Sequence, residues 1–300
     1  MQHQQMLKLA EQAAKTARPL ESNFCVGAYA EFSNNQFFSG SNIEDFRKTP
    51  VGVCAERALL YGANSQIGPL SKDGGVDGQP VWEQMAVWGP TEHPITPCGI
   101  CRDALAGSGH PDSLIFSRGS NGQILEATIS QLLPLPGLGV DGDASYEVER
   151  LIERGADISA SISPEFKNLL EKAKSAADNS YIPPFSNEPR AGAAIELSNQ
   201  EIITGWVTID ATTRLGGSAI TSAARNALGS SLKASSRAVR IALFTDALVL
   251  RAPNGYDLQM LQELADPDTL IVFGCSDNRA YISRLDTLLP HAFGRRDLGY

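Results

Sequence analysis

Three hundred residues, 42% of them hydrophobic, suffice for one large α/β domain or, as we expect, for two ordinary ones. A formal net charge of −9 and a pI near 5.0, with Lys and Arg dispersed, exclude the basic stripe that grips a nucleic acid polymer. No apolar run is long enough to span a membrane, and the five cysteines, an odd number, argue against a disulfide framework.

Met1 to Ala17 is polar and helical in pattern, without the apolar stretch of a secretory leader, so we expect a cytoplasmic protein with reduced thiols. Met6, Leu9, Ala10, Ala13, Ala14 and Ala17 share one helical face, and Pro19 closes it. The runs Phe24 to Phe32 and Gln36 to Gly40, separated by Ser33-Asn34-Asn35, predict a β-hairpin. Cys25, in its first arm, reads as a packed thiol, as does Cys275 much later. From Cys54 to about Ser65 the spacing of Ala55, Ala58, Leu59 and Ala63 predicts a helix. Cys54 would stand at its N-terminus, where the dipole favours a thiolate. Ser65 to Glu83, rich in Gly, Asp, Pro and Ser, reads as a loop. The strand Met85 to Trp88 leads into a loop carrying His93, and then to Pro97-Cys98-Gly99-Ile100-Cys101. A second helix is expected to start at Cys98, and Ser113 to Phe116 with Ile129 to Pro134 completes the first module.

Cys54, Cys98 and Cys101 can hold one zinc ion, because thiolates suit its tetrahedral site. A catalytic site uses three protein ligands and leaves the fourth position to water. Glu56 lies two residues from the first sulfur, where a carboxylate can carry protons from that water to a leaving group. With three sulfurs filling the protein positions, His93 reads as a loop histidine.

Cys54-Ala55-Glu56-Arg57 followed by Pro97-Cys98-Gly99-Ile100-Cys101 resembles the signature of the cytidine deaminase family. Ser22-Asn23-Phe24-Cys25-Val26-Gly27-Ala28 resembles the family's opening segment. The resemblance implies an α/β fold of tandem three-layer α/β/α modules, each with a mixed sheet. It implies Zn²⁺ on Cys54, Cys98 and Cys101, with Glu56 as the catalytic proton shuttle. It also implies a substrate contacted by Phe24, Asn42, Glu44 and Ala55. Phe24 would pack on the pyrimidine, while Asn42 and Glu44 would hold the ribose 3′-hydroxyl, amide donating and carboxylate accepting. Three thiolates leave the ion with a net negative charge, and Arg57 is expected to offset it by hydrogen-bonding the ligand sulfurs. The reaction implied is hydrolytic deamination of cytidine or 2′-deoxycytidine, zinc-bound hydroxide attacking C4 and ammonia leaving. The partner is thus a small-molecule nucleoside, and the assembly expected is a homodimer.

Asp45-Phe46-Arg47, one extra residue before Cys54, and Asp103 depart from the family's pattern near the sugar-binding and metal segments. They bear on substrate preference and make a cytosine-nucleoside analogue, such as an aminoacyl nucleoside antibiotic, the second candidate. A non-catalytic zinc-binding protein is the alternative outside enzymes; it would want four closed ligands and have no use for Glu56.

From about Ser163 the plan repeats. Ser163 and Pro164 read as N-cap and first residue of a helix with Phe166, Leu169, Leu170, Ala173 and Ala177 on one face. Gly27 and Gly40 match Gly192 and Gly205 at a shift of 165, and Ala86, Pro97 and Pro134 match Ala242, Pro253 and Pro290 at 156. At the shift of 156 Cys98 becomes Asn254 and Cys101 becomes Asp257; around the first ligand, Cys54-Ala55-Glu56-Arg57 is matched to Ser222-Ala223-Ala224-Arg225. No thiolate or imidazole remains for zinc. We therefore expect a catalytic module at 1–145, a linker at 146–162 and a degenerate module at 163–300. Leu289-Pro290-His291-Ala292-Phe293-Gly294 resembles the family's carboxy-terminal segment, whose Phe stacks on the base in a neighbouring module's site. We expect Phe293 to contact substrate by closing the first module's site, from the same chain or a partner.

Overall fold

The computed structural model describes residues 3–44, 52–71, 78–135, 162–184, 186–209, 217–230, 236–248, 250–294 and 297. The chain forms two compact units, one of Met1–Pro134 with Pro290–Tyr300, the other of Leu135–Leu289. The tail thus counts with the first unit although it follows the second in sequence. The stretch expected as a linker lies outside the described residues up to 161, as do Asp45-Phe46-Arg47.

In the first unit, α1 (His3–Ala14) precedes the hairpin β1 (Gly27–Phe32) and β2 (Phe37–Ser41). There follow α2 (Ala55–Ile67), β3 (Trp82–Trp88), α3 (Gly99–Ala106), β4 (Gly109–Arg118), β5 (Ile124–Thr128) and the short α4 (Ile129–Leu132). The sheet order is β2-β1-β3-β4-β5, with β3 and β4 parallel and every other pairing antiparallel. A parallel pair needs a crossover, and α3 supplies it.

Two periodicities explain the layers. Along β3, side chains alternate between faces. Met85 and Val87 join Leu59, Leu105 and Ile115 in the core beneath α2 and α3. Ala86, with Phe116, meets Met6, Leu7 and Ala10 of α1 on the opposite face. Trp82 is fully buried, and its indole N–H donates to the Leu105 carbonyl at 3.0 Å, tying β3 to α3. The helix α1 stops at Ala14, a turn before the expected end, and Phe24 to Val26 precede β1 as extended chain.

The second unit repeats this plan with α5 (Pro164–Ala177), β6 (Ala191–Leu197), β7 (Ile202–Trp206), α6 (Ala219–Ser230), β8 (Ala238–Thr245), α7 (Gly255–Leu264), β9 (Ala265–Cys275), β10 (Ala280–Arg284) and α8 (Leu285–Leu288). Its order is β7-β6-β8-β9-β10, with β8 and β9 parallel. Ser163 and Pro164 do open α5. The fold class is α/β with two mixed five-stranded sheets.

One part of the expected internal alignment needs correction. Gly40 pairs with Ala28 and faces the Ala55 carbonyl and the Leu59 amide so closely that a Cβ would overlap them. Gly205 pairs with Ala193 and meets the Ala219 carbonyl and the Ala223 amide in the same way. Ala55 therefore corresponds to Ala219, and Cys54-Ala55-Glu56-Arg57 to Ser218-Ala219-Ile220-Thr221. The expected match to Ser222-Ala223-Ala224-Arg225 lies one helical turn too late. A slip of one turn keeps the same face inward, so an alanine-rich helix conceals it. The later shift of 156 holds: β3 pairs Ala86 with Phe116, and β8 pairs Ala242 with Val272.

Candidate metal centre and adjoining cavity

Cys54 and Cys98 occupy equivalent places, each the extended residue that caps a helix N-terminus, with φ/ψ of −71°/158° and −64°/163°. Neither side chain caps its own helix, so both sulfurs are free to point together. Cys101, one turn into α3, is fully buried behind them. Cys54 Sγ lies 3.8 Å from Cys98 Sγ, which lies 3.5 Å from Cys101 Sγ, and all three fall within 4.8 Å of one another. A tetrahedral ion with Zn–S bonds of about 2.3 Å calls for sulfurs about 3.8 Å apart. The triad has the composition and spacing of a zinc site, and it is the cluster of this kind among the described residues.

The protonation pattern agrees with a cation's place among the sulfurs. Hydrogen bonds with Cys101 and Cys54 hold Cys98 well below the usual thiol value. Contacts with Cys54 and Cys98, together with burial, push Cys101 well above it. For Cys54, the Cys101 contact lowers the value but the Cys98 contact and burial overcome it, to about 11. Mutual contact and burial thus set the three thiols' pKa values apart.

Glu56, in the first turn of α2, is 4% exposed. Burial, reinforced by the charge of Cys54, pushes its carboxyl up to about 7. Arg57 is half-buried beside the sulfurs of Cys54 and Cys101, and its Nε has no hydrogen-bond partner among the described residues. Burial acts against its charge, but the sulfurs of Cys101 and Cys54 outweigh that.

Beside the sulfurs opens a cavity of about 270 Å³, with Phe24, Glu56, Ile95 and Phe293 among its walls. The Phe24 and Phe293 rings lie 5.9 Å apart at 53°. Phe293 belongs to the first unit and follows His291, a non-glycine residue at φ 50° that turns the chain. Asn42 and Glu44 also line the cavity. The Asn42 side chain accepts from the Val26 amide at 2.7 Å and donates to the Phe24 carbonyl at 2.9 Å. The Glu44 carboxylate accepts from the amides of Glu21 and Ser22 at 2.8 and 2.9 Å and from the Ser22 hydroxyl. Burial would raise Glu44, but these hydrogen bonds bring it below the ordinary carboxylate value. Each side chain keeps one donor or lone pair for a ligand. The methyl of Ala55 is fully buried in the core behind the cavity, so any contact from it runs through its backbone.

Sequence reasoning missed Arg102. This arginine is fully buried beside Cys101 and donates five hydrogen bonds. Burial lowers its pKa to about 10, leaving it charged at neutral pH. A signal existed: Gly99, Arg102 and Leu105 share one face of α3, and Leu105 marks that face as buried.

In the second unit the equivalents of the three thiols are Ser218, Asn254 and Asp257. Ser218 donates to the buried Asp257 carboxylate, which also accepts from the Thr221 hydroxyl at 3.0 Å. Asn254 caps α7 by accepting from the Asp257 amide at 2.8 Å. Hydrogen bonds join the two helix starts there, where sulfurs converge in the first unit.

Residues 1–117 match the family model described as the cytidine and deoxycytidylate deaminase zinc-binding region. A cytidine deaminase of Halalkalibacterium halodurans is 32% identical over 134 residues, covering 45% of this chain and 92% of that protein. One of Sporosarcina psychrophila is 29% identical over 150 residues, covering 50% of this chain and 100% of that protein. Among solved structures, the cytidine deaminase from Burkholderia pseudomallei is 29% identical with a TM-score of 0.39, covering 45% of this chain and 98% of that one.

Proposed function

The chain belongs to the cytidine deaminase family, and from that premise we propose that it hydrolyses the exocyclic amine of cytidine or 2′-deoxycytidine, yielding the uridine nucleoside and ammonia. The observation that carries the reading is a buried carboxyl, Glu56, in the wall of an aromatic-sided cavity that also meets Cys54 and Cys98. Cys54, Cys98 and Cys101 would hold the zinc ion, which when bound supplies Lewis acidity that makes hydroxide available near neutral pH. Glu56 takes one proton from the attacking water and delivers it to N3 of the ring; it then takes the remaining proton from the hydroxyl on C4 and passes it to the amine, so that the C4–N bond breaks, ammonia leaves and C4 becomes a carbonyl. A carboxyl whose pKa sits near the working pH serves both directions of that transfer. Phe24 and Phe293 offer apolar faces to the pyrimidine, and Asn42 with Glu44 offers a donor and an acceptor to a sugar hydroxyl. The Glu44 charge disfavours a phosphate there, which supports a nucleoside over a nucleotide. Arg57, whose charge lies beside Cys101 and Cys54, offsets the negative charge that three thiolates confer.

The test is to follow cytidine by its fall in ultraviolet absorbance while assaying zinc in the same samples. Glu56→Gln should lower kcat about 10²–10⁴-fold with zinc retained. Full activity in that variant, or no turnover of any cytosine nucleoside by zinc-loaded wild-type protein, overturns the reading.

A further inference from the structure

We propose that Arg102 is a positioning residue for substrate binding: it braces the Pro290–His291 segment so that Phe293 is held over the cavity. The proposal rests on reading that cavity as the nucleoside site. The guanidinium spans three pieces of chain. Its Nε donates to the Pro97 carbonyl at 2.8 Å, just before the metal helix. One Nη donates to the Leu132 carbonyl at 2.5 Å and the Pro290 carbonyl at 2.6 Å. The other donates to the His291 carbonyl and the Thr96 hydroxyl, both at 2.8 Å. The Thr96 hydroxyl in turn donates to the same His291 carbonyl. All these acceptors are neutral, so the buried charge is satisfied wholly by the fork of N–H donors. A lysine, with one compact ammonium, could not reach them together.

Phe293 lies two residues beyond His291, in a stretch without helix or strand. On its far side the Gly294 amide donates to the Asp297 carboxylate at 2.8 Å and the Gly294 carbonyl accepts from the Asp297 amide at 3.0 Å; on its near side the segment is held through the Pro290 and His291 carbonyls that Arg102 grips. The side chain therefore links the segment bearing two zinc ligands to the ring on the cavity wall, without touching the cavity itself. An interaction that holds an apolar wall acts equally on bound substrate and transition state, so it governs KM more than kcat.

The experiment uses the full-length, zinc-loaded protein. Arg102→Lys should raise KM for cytidine about tenfold with kcat changed less than about twofold and zinc content unaltered. Phe293→Ala should raise KM similarly, and the double variant should rise no further, because the two act as one unit. Hydrogen exchange read by mass spectrometry should quicken over 290–294 in Arg102→Lys and stay unchanged over 54–60. Additive KM effects with unchanged exchange over 290–294 overturn the proposal. If Arg102→Lys does not fold, Thr96→Val decides by exchange alone, since Thr96 also lines the cavity: faster exchange over 290–294 supports the brace, and the wild-type rate there refutes it. Absence of turnover in the wild-type protein sinks the deaminase reading alone, since exchange over 290–294 still reports whether Arg102 holds the segment.

Discussion

Glu56 is closed from water, yet it sits one residue from Arg57 and two from a sulfur that carries charge when ligated. Burial and that sulfur favour its protonated form; Arg57 favours the ionised one. Burial is the largest of these causes, and a value near 7 suits a group that takes up and gives back protons near neutral pH. Arg57 has a second consequence, because its charge lies beside the Cys54 and Cys101 sulfurs from outside the ligand set. Replacing Arg57 with Gln should weaken zinc affinity about 10–100-fold, measured by competition with a chromogenic chelator. Phe293 forms a tilted pair with Phe24 in the cavity wall, and one aromatic face against a base is worth about 1.4 kcal/mol, or tenfold. Phe293→Ala should therefore raise KM by that factor while the zinc content stays at its wild-type level.

Two helices, α2 and α3, start at the site, and each is capped by a cysteine that makes no capping hydrogen bond. Each start thus leaves amide N–H groups and a positive dipole end facing the sulfurs. Once zinc is bound, the ligands link the two starts directly. Stripping zinc should lower the unfolding midpoint: an ion at a thousand times its Kd contributes about 4 kcal/mol, worth on the order of 10 °C for a unit of this size. Differential scanning calorimetry with and without chelator checks this. A shift confined to under about 1 °C would mean the metal is not part of the folded frame. Gly40 controls how closely α2 approaches β2. Gly40→Ala would drive a Cβ into the Ala55 carbonyl and should cost about 1–3 kcal/mol, seen as a lower urea midpoint.

The molecule carries one set of thiols and two copies of the plan that could hold them. In the second copy Ser218, Asn254 and Asp257 stand in the ligand positions and bond to one another and to Thr221. Elemental analysis should therefore find one zinc per chain. Asp257→Ala leaves the hydroxyls of Ser218 and Thr221 without their buried acceptor and should destabilise the second unit by about 1–3 kcal/mol. Zinc per chain should not change in that variant. Loss of zinc would mean that the second unit supports the first site in a way these hydrogen bonds do not explain.

Much of the site was legible in the chain before any coordinates. Cys54, Glu56, Cys98 and Cys101 stand out because metal chemistry restricts both residue type and spacing, and helical periodicity put two of the sulfurs at helix starts. The duplicated plan was readable too, through paired glycines and a constant shift over the later strands. Its register across the first helix was not, because alanine-rich turns look alike one turn apart. Only the backbone approach at Gly40 and Gly205 distinguishes them. Arg102 was passed over for a related reason: a charged residue next to a ligand reads as surface until burial is known. Local patterns depend on neighbours within a few residues, so sequence could specify the three thiols, the carboxyl beside them and the layers. Which distant carbonyls converge on a guanidinium, and which ring faces Phe24, depends on chain pieces some 190 residues apart (Arg102 to His291). Such contacts are set by packing of the whole unit, and no short stretch of sequence encodes them.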